Sequence, residues 1–249
     1  MKITVIAPIA LKRKSSYENK PCCRALPCEF SFTFIDKGPM LVLNTYDQTF
    51  AAPGVVLKAQ EAEAAGADAI VINCAADTGL QACREAVNIP VIGVFESTML
   101  FSAQLADQVT VLTFSDRING RYRNVVRNMG MSHRLTDSRT VTVPEGMEKT
   151  KENIIRTLYT NIKDVYDSTL CDSFILGCSD FEGAGLMMGC TDVAGIDEGL
   201  RAMLEENGLN VQIYKPFDIG IHTAYIAALM HVQNSRKTYP APHTVFNNF

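Results

Sequence analysis

Two cysteines close near-identical local patterns in this 249-residue chain. Ala69-Ile70-Val71-Ile72-Asn73-Cys74 is followed by a helix-period stretch and then by Gly93-Val94-Phe95-Glu96. Ser173-Phe174-Ile175-Leu176-Gly177-Cys178 is followed in the same way by Gly195-Ile196-Asp197-Glu198. Each half reads as a buried strand ending in a cysteine, a short helix and a return to Gly-x-x-Glu. A duplicated strand–cysteine–helix unit points to two similar α/β lobes related by an approximate two-fold axis. Such an axis can bring two strand ends face to face across a cleft. Thiols on opposite faces of one bound carbon are the minimal equipment for moving a proton from one face to the other.

Short apolar runs alternate with helix-period stretches almost throughout, the pattern of βαβ units and a mainly parallel sheet flanked by helices. Strands are expected at 2–9, 40–44, 69–73, 89–94, 109–114, 139–143, 173–177, 192–196 and 210–214. Helices are expected at 53–65, 78–87, 97–106, 116–129, 146–167, 182–189, 198–207 and 217–232. Pro53 is placed to open a helix that stops at Gly66, and Asp77 to cap the helix after Cys74. Residues 12–37 show no clear period and read as a variable connection or a loop over the site. The polar tail 235–249 reads as a partner arm or a frayed end. The layout predicts lobe one over 1–95 plus 209–249 and lobe two over 96–208. The final strand and helix return to lobe one, and the site lies between the lobes.

Bulk properties exclude several classes. The net charge is −4, and the one basic cluster, Lys12-Arg13-Lys14, reads as a solvated loop, so no nucleic-acid partner is expected. No apolar run approaches the roughly 20 residues of a spanning helix, so no membrane partner is expected. The stretch from Met1 to Leu11 is apolar after Lys2, but the basic cluster that follows is no cleavage site, and the stretch reads as the first buried strand. Eight cysteines in a chain of this size, without a signal segment, read as free thiols of a reducing cytoplasm. Cys22-Cys23 and Cys28 lack a second Cys-x-x-Cys pair or a nearby histidine, so no metal site is expected. Cys83, Cys171 and Cys190 read as small packing residues.

Open parallel sheets place ligands beyond the carboxyl ends of their strands, and both Cys74 and Cys178 stand at such ends. Free N–H groups there favour a thiolate and can hold a carbonyl oxygen as charge builds on it. One sulfur then serves as thiolate base and the other as thiol acid, with the roles exchanged for the other enantiomer. No cofactor is required, and no P-loop, His-x-x-x-His or Gly-x-Gly-x-x-Gly motif is present.

The stretch Ala67 to Glu85, with its core Ile72-Asn73-Cys74-Ala75-Ala76-Asp77-Thr78-Gly79, resembles the first cysteine motif of the Asp/Glu/hydantoin racemase superfamily, closest to its hydantoin and allantoin racemase branch. Gly38-Pro39, Tyr46-Asp47, Ala52-Pro53-Gly54, Val111-Leu112-Thr113 and Ile175-Leu176-Gly177-Cys178 are similar to that branch as well. The resemblance implies a two-lobed α/β fold and cofactor-independent racemisation of a small molecule at a carbon next to a carbonyl, with Cys74 and Cys178 as acid and base. It implies a substrate bound near Asn73, Ala75, Ala76, Thr113 and Ser179, the small residues acting through backbone N–H. It also implies a homo-oligomer. Thr113 has a plainer role open to it, since a β-branched residue suits a strand.

The chain departs from the family pattern in three places. An Asn-Pro-Asn turn commonly follows the first strand; here the run is Ala7-Pro8-Ile9. Asp-Pro-Gly commonly follows the first cysteine; here it is Asp77-Thr78-Gly79. Ser179-Asp180-Phe181-Glu182 replaces a small apolar run after the second, and Asp180 and Glu182 read as caps of the next helix. Glu96 and Glu198 read as caps too, and His222 as a packed or surface histidine. The expected substrate is a 5-substituted hydantoin or an allantoin-like ureide. The alternatives are a free amino acid of the Asp/Glu type, chemistry like that of maleate isomerase or arylmalonate decarboxylase, and a small-molecule sensor without catalysis.

Overall fold

The computed structural model describes residues 1–11 and 17–244; Lys12-Arg13-Lys14 and the last five residues of the tail lie outside the described residues. In chain order the strands are β1 (Lys2–Ala7), β2 (Glu29–Phe34), β3 (Ala69–Ile72), β4 (Val91–Gly93), β5 (Val109–Thr113), β6 (Leu135–Thr140), β7 (Ser173–Leu176) and β8 (Gln212–Tyr214). The helices are α1 (Pro21–Arg24), α2 (Thr45–Ala64), α3 (Leu80–Ala86), α4 (Val94–Ser102), α5 (Asp116–Asn128), α6 (Lys151–Ser168), α7 (Phe181–Met187), α8 (Ile196–Glu206) and α9 (Pro216–Leu229). Two compact units result. One holds Met1–Ser97 and the chain from Phe217 onward; the other holds Thr98–Pro216.

The first unit is built on a parallel sheet of order β2-β1-β3-β4. All four residues of β3 are buried, as expected of a strand covered on both faces. Strand alternation sends Ile3, Val5, Ala69 and Val71 to one face, where they pack with Phe217, Ile221 and Ala224 of α9. On this sheet α2 packs against β1 and β3. It starts two turns before Pro53, because Asn44 accepts from the Asp47 N–H (2.9 Å) and Asp47 accepts from the Leu43 N–H (2.9 Å). That reciprocal cap opens the helix, and Pro53 lies inside it at the cost of one backbone bond.

The second unit repeats the arrangement with the order β6-β5-β7-β8, again parallel. Ile154, Ile155, Leu158, Ile162 and Val165 recur with helical spacing on α6 and meet Leu112, Phe174 and Leu176 from the sheet and Ile196, Leu200 and Leu204 from α8. The first unit's β1, β2, β3 and β4 thus correspond in order to β5, β6, β7 and β8. Each cysteine follows the third strand of its set. The α/β class and the paired parallel sheets match the expectation from sequence.

Several elements differ from it. Residues 29–34 form β2, although 12–37 read as an irregular connection. Residues 40–44 and 192–196 are not strands; Gly195, at φ 81, is the N-cap of α8. The return strand of the second unit is therefore β8, paired Ser173↔Gln212 with β7. The layout assigned 209–214 to the first lobe, whereas β8 belongs to the second sheet and Leu209 and Val211 pack on the second core. Among the described residues no helix is long and apolar enough to cross a membrane.

Candidate functional site

In the first unit the sheet pairing runs one residue past β3, because the Asn73 N–H donates to the Ile6 carbonyl at 2.8 Å. The chain then turns twice. The Cys74 N–H bonds the Ile72 carbonyl at 3.0 Å, and the Asp77 N–H bonds the Cys74 carbonyl at 2.8 Å. These turns leave Cys74 half-buried at the carboxyl end of the strand. Ala75 and Ala76 are buried beside it. Of the N–H groups from Ala75 to Thr78, only that of Asp77 donates to a backbone carbonyl among the described residues. Asn73 is 7% exposed, and its side-chain oxygen is buried without a hydrogen-bond partner among the described residues. Thr78 is buried and its hydroxyl lies 3.8 Å from the Cys74 sulfur, as donor.

Asp77 does not cap the helix after Cys74. That helix, α3, starts at Leu80, and its N-cap is Gly79 at φ 74. Asp77 turns the other way, itself left-handed at φ 47. Its carboxylate accepts from the N–H groups of Phe95 (3.0 Å) and Glu96 (2.7 Å) at the start of α4. Burial pushes its pKa up to about 7, while the two N–H donors hold the rise in check. Gly93 is the residue that allows this, since a Cβ there would fall 2.6 Å from the Asp77 carboxyl carbon. Glu96 does not act as a simple cap either: it makes a two-pronged pair with Arg84 of α3, at 2.8 and 3.2 Å.

In the second unit the pairing also runs past the strand, with the Gly177 N–H donating to the Leu112 carbonyl at 2.7 Å. A Cβ at Gly177 would lie 2.8 Å from that oxygen, so only glycine permits the approach. The buried Tyr122 hydroxyl donates to the Gly177 carbonyl at 2.7 Å, a contact without a local sequence signal. Cys178 follows, half-buried. Asp180 caps α7 as expected, accepting from the Gly183 N–H at 2.8 Å. The first turn of that helix lies against the sulfur, for a Cβ on Gly183 would be 2.8 Å from it. Ser179 is buried next to the cysteine. Thr113 is fully buried, and its hydroxyl shares a hydrogen bond with Thr140 at 3.2 Å.

The remaining residues singled out from sequence take plainer places. His222 is exposed on α9 and bonds the Asp218 carbonyl at 2.8 Å through Nδ1. Cys83, Cys171 and Cys190 are buried, and all eight cysteines are free thiols. The Cys22 thiol is pushed up by its bond to Cys23 and by burial. Among the described residues no three His, Cys, Asp or Glu side chains are grouped as metal ligands.

The family model for Asp/Glu/hydantoin racemases matches residues 24–187, a stretch that contains both Cys74 and Cys178. The chain belongs to the Asp/Glu/hydantoin racemase family. It is 30% identical over 185 residues to the hydantoin racemase of Pseudomonas sp. (strain NS671), covering 72% of this chain and 73% of that one. Among solved structures it is similar to the allantoin racemase from Klebsiella pneumoniae, with a TM-score of 0.77 at 18% identity over 98% of this chain and 94% of that one. The allantoin racemase AllR from Pseudomonas fluorescens gives 0.75 at 18% identity, with 99% of each chain covered. The hydantoin/allantoin branch suggested by the cysteine motif is thus the one to which these relatives belong, and the chain is an enzyme of the racemase class of isomerases.

Proposed function

We propose that this family member racemises a 5-substituted hydantoin or an allantoin-like ureide without a cofactor, using Cys74 and Cys178 on opposite faces of one carbon. The observation that carries this reading is the placement of each cysteine two residues beyond the third strand of two sheets with the same strand order. One sulfur, as thiolate, takes the proton from the carbon between ring carbonyl and ring nitrogen. The electron pair left behind delocalises onto the carbonyl oxygen. Backbone N–H groups of Ala75 and Ala76 and the amide of Asn73 are suited to hold that oxygen. The other sulfur, as thiol, returns a proton to the opposite face. One proton leaves and one arrives, so atoms and charge balance without an oxidant or reductant.

The surroundings of Cys74 favour a neutral ring over a free amino acid. Ala7 ends β1 and Pro8 and Ile9 follow it; β1 pairs with β3 in register Ile6↔Ile72. With Asn73, Ala75 and Ala76 they supply amide groups but no cation for an α-carboxylate. Ser179 is assigned the corresponding backbone contact beside Cys178. Thr113 supports the site through its bond to Thr140. The eight free thiols suit a reducing cytoplasm, and the family resemblance supports a homo-oligomer.

Polarimetry on single enantiomers tests the substrate class. A 5-substituted hydantoin or allantoin is expected to lose optical rotation with this protein, and aspartate and glutamate to keep theirs. Turnover of the amino acids with none of the ureides would overturn the assignment.

A further inference from the structure

Thr78 stands in the loop that carries the chain from β3 to α3, with 1% of its surface exposed. A hydroxyl shut away from water needs an acceptor. Among the described residues the acceptor that Thr78 reaches is the Cys74 sulfur, at 3.8 Å. The loop between the two is fixed independently. The Asp77 N–H holds the Cys74 carbonyl, and the Asp77 carboxylate is held by Phe95 and Glu96. Threonine is also stiff about χ1, so its hydroxyl approaches the sulfur from a set direction.

We propose that Thr78 is a positioning residue for Cys74: its hydroxyl fixes the direction of the sulfur and stabilises its thiolate form. Hydrogen bonds to an ionised acceptor are stronger than those to a neutral one, so the contact that satisfies Thr78 also shifts the thiol towards ionisation. Where the family commonly has Asp-Pro-Gly, the sequence here is Asp77-Thr78-Gly79, and proline has no hydroxyl to give. The inference rests on the reading of Cys74 as an acid–base group.

The test is iodoacetamide alkylation of the full-length protein across pH, with Cys74 and Cys178 followed separately by peptide mass mapping. Thr78→Val keeps the shape and removes the donor. It is expected to slow Cys74 alkylation near pH 7 by about tenfold and move its pH profile upward, with the Cys178 profile unchanged. Thr78→Ser restores the wild-type profile. Superimposable Cys74 profiles for wild type and Thr78→Val, in protein with native near-ultraviolet circular dichroism, would overturn the proposal. Should Thr78→Val not fold, Thr78→Ala is read in the same way. A crystal structure with the hydroxyl beyond hydrogen-bonding reach of the sulfur also overturns it. In ureide racemisation Thr78→Val is expected to lower kcat with KM unchanged and Thr78→Ser to recover it. If the wild type racemises no ureide, the proposed function fails while the alkylation profiles still decide the role of Thr78.

Discussion

Asp77 occupies a left-handed backbone state, φ 47, that side chains other than glycine adopt at some cost. The surrounding bonds hold it there: one from its N–H to Cys74, two from α4 to its carboxylate. The sequence suggested a cap for the nearest helix because Asp followed by Thr and Gly is what such caps look like. Which helix an Asp caps depends on a backbone turn, and the left-handed turn at Asp77 itself, with the room left by Gly93, delivers its carboxylate to α4. The charge has a consequence for stability. Asp77 has a reference value of 3.8 and is pushed up to about 7 by burial; Glu96 adds to the rise, and Arg84 with the two N–H donors opposes it. Between those values the folded protein binds more protons than the unfolded chain, so this group's contribution to stability falls as pH rises from about 4 to about 7. Thermal unfolding from pH 4 to 8 measures it. Wild type is expected to lose ground relative to Asp77→Asn across that window, and parallel profiles would contradict the assignment.

At the scale of elements, the strands that bear the cysteines were legible because continuous buried runs such as Ala69–Ile72 and Ser173–Leu176 have one natural home in a parallel sheet. β2 was missed although Phe30, Phe32 and Phe34 alternate with Ser31 and Thr33; the cysteines and prolines before it masked a period of two. The second Gly-x-x-Glu misled for a different reason. Gly195 matches Gly93 in spelling, but Gly93 ends a strand and Gly195 starts a helix. The tail shows what spacing cannot. The Asn234 amide donates to the carbonyls of Val87 (3.1 Å) and Ile89 (2.6 Å) and accepts from the Val91 N–H at 3.4 Å. Arg236 reaches the carbonyls of Arg84 and Glu85. Residues 234–236 are thus pinned beside β4 rather than frayed. Asn234→Ala removes the side-chain bonds and is expected to destabilise the protein by about 1–3 kcal/mol, measured as a lower urea midpoint; an unchanged midpoint would show that these bonds add no stability.

At the scale of the whole molecule, duplication made most of the architecture readable. A pattern that occurs once has many explanations, but the same strand–cysteine step at β3 and β7 predicts two sheets with equivalent strands, and the orders β2-β1-β3-β4 and β6-β5-β7-β8 agree. Long-range assignments were less legible. Whether 209–214 joins the first or second sheet is settled by packing of Leu209 and Val211 in the second core, and no local pattern encodes that choice. The Asn73 oxygen and the Tyr122–Gly177 contact likewise arise from tertiary neighbours. In the proposed mechanism two sulfurs share one proton transfer. It is tested most directly by incubating one enantiomer of a 5-substituted hydantoin in heavy water with wild type, Cys74→Ala and Cys178→Ala. Wild type is expected to lose optical rotation as deuterium enters at the stereocentre, and each variant to racemise about 10²-fold more slowly or worse; racemisation at the wild-type rate in both single variants would contradict the account.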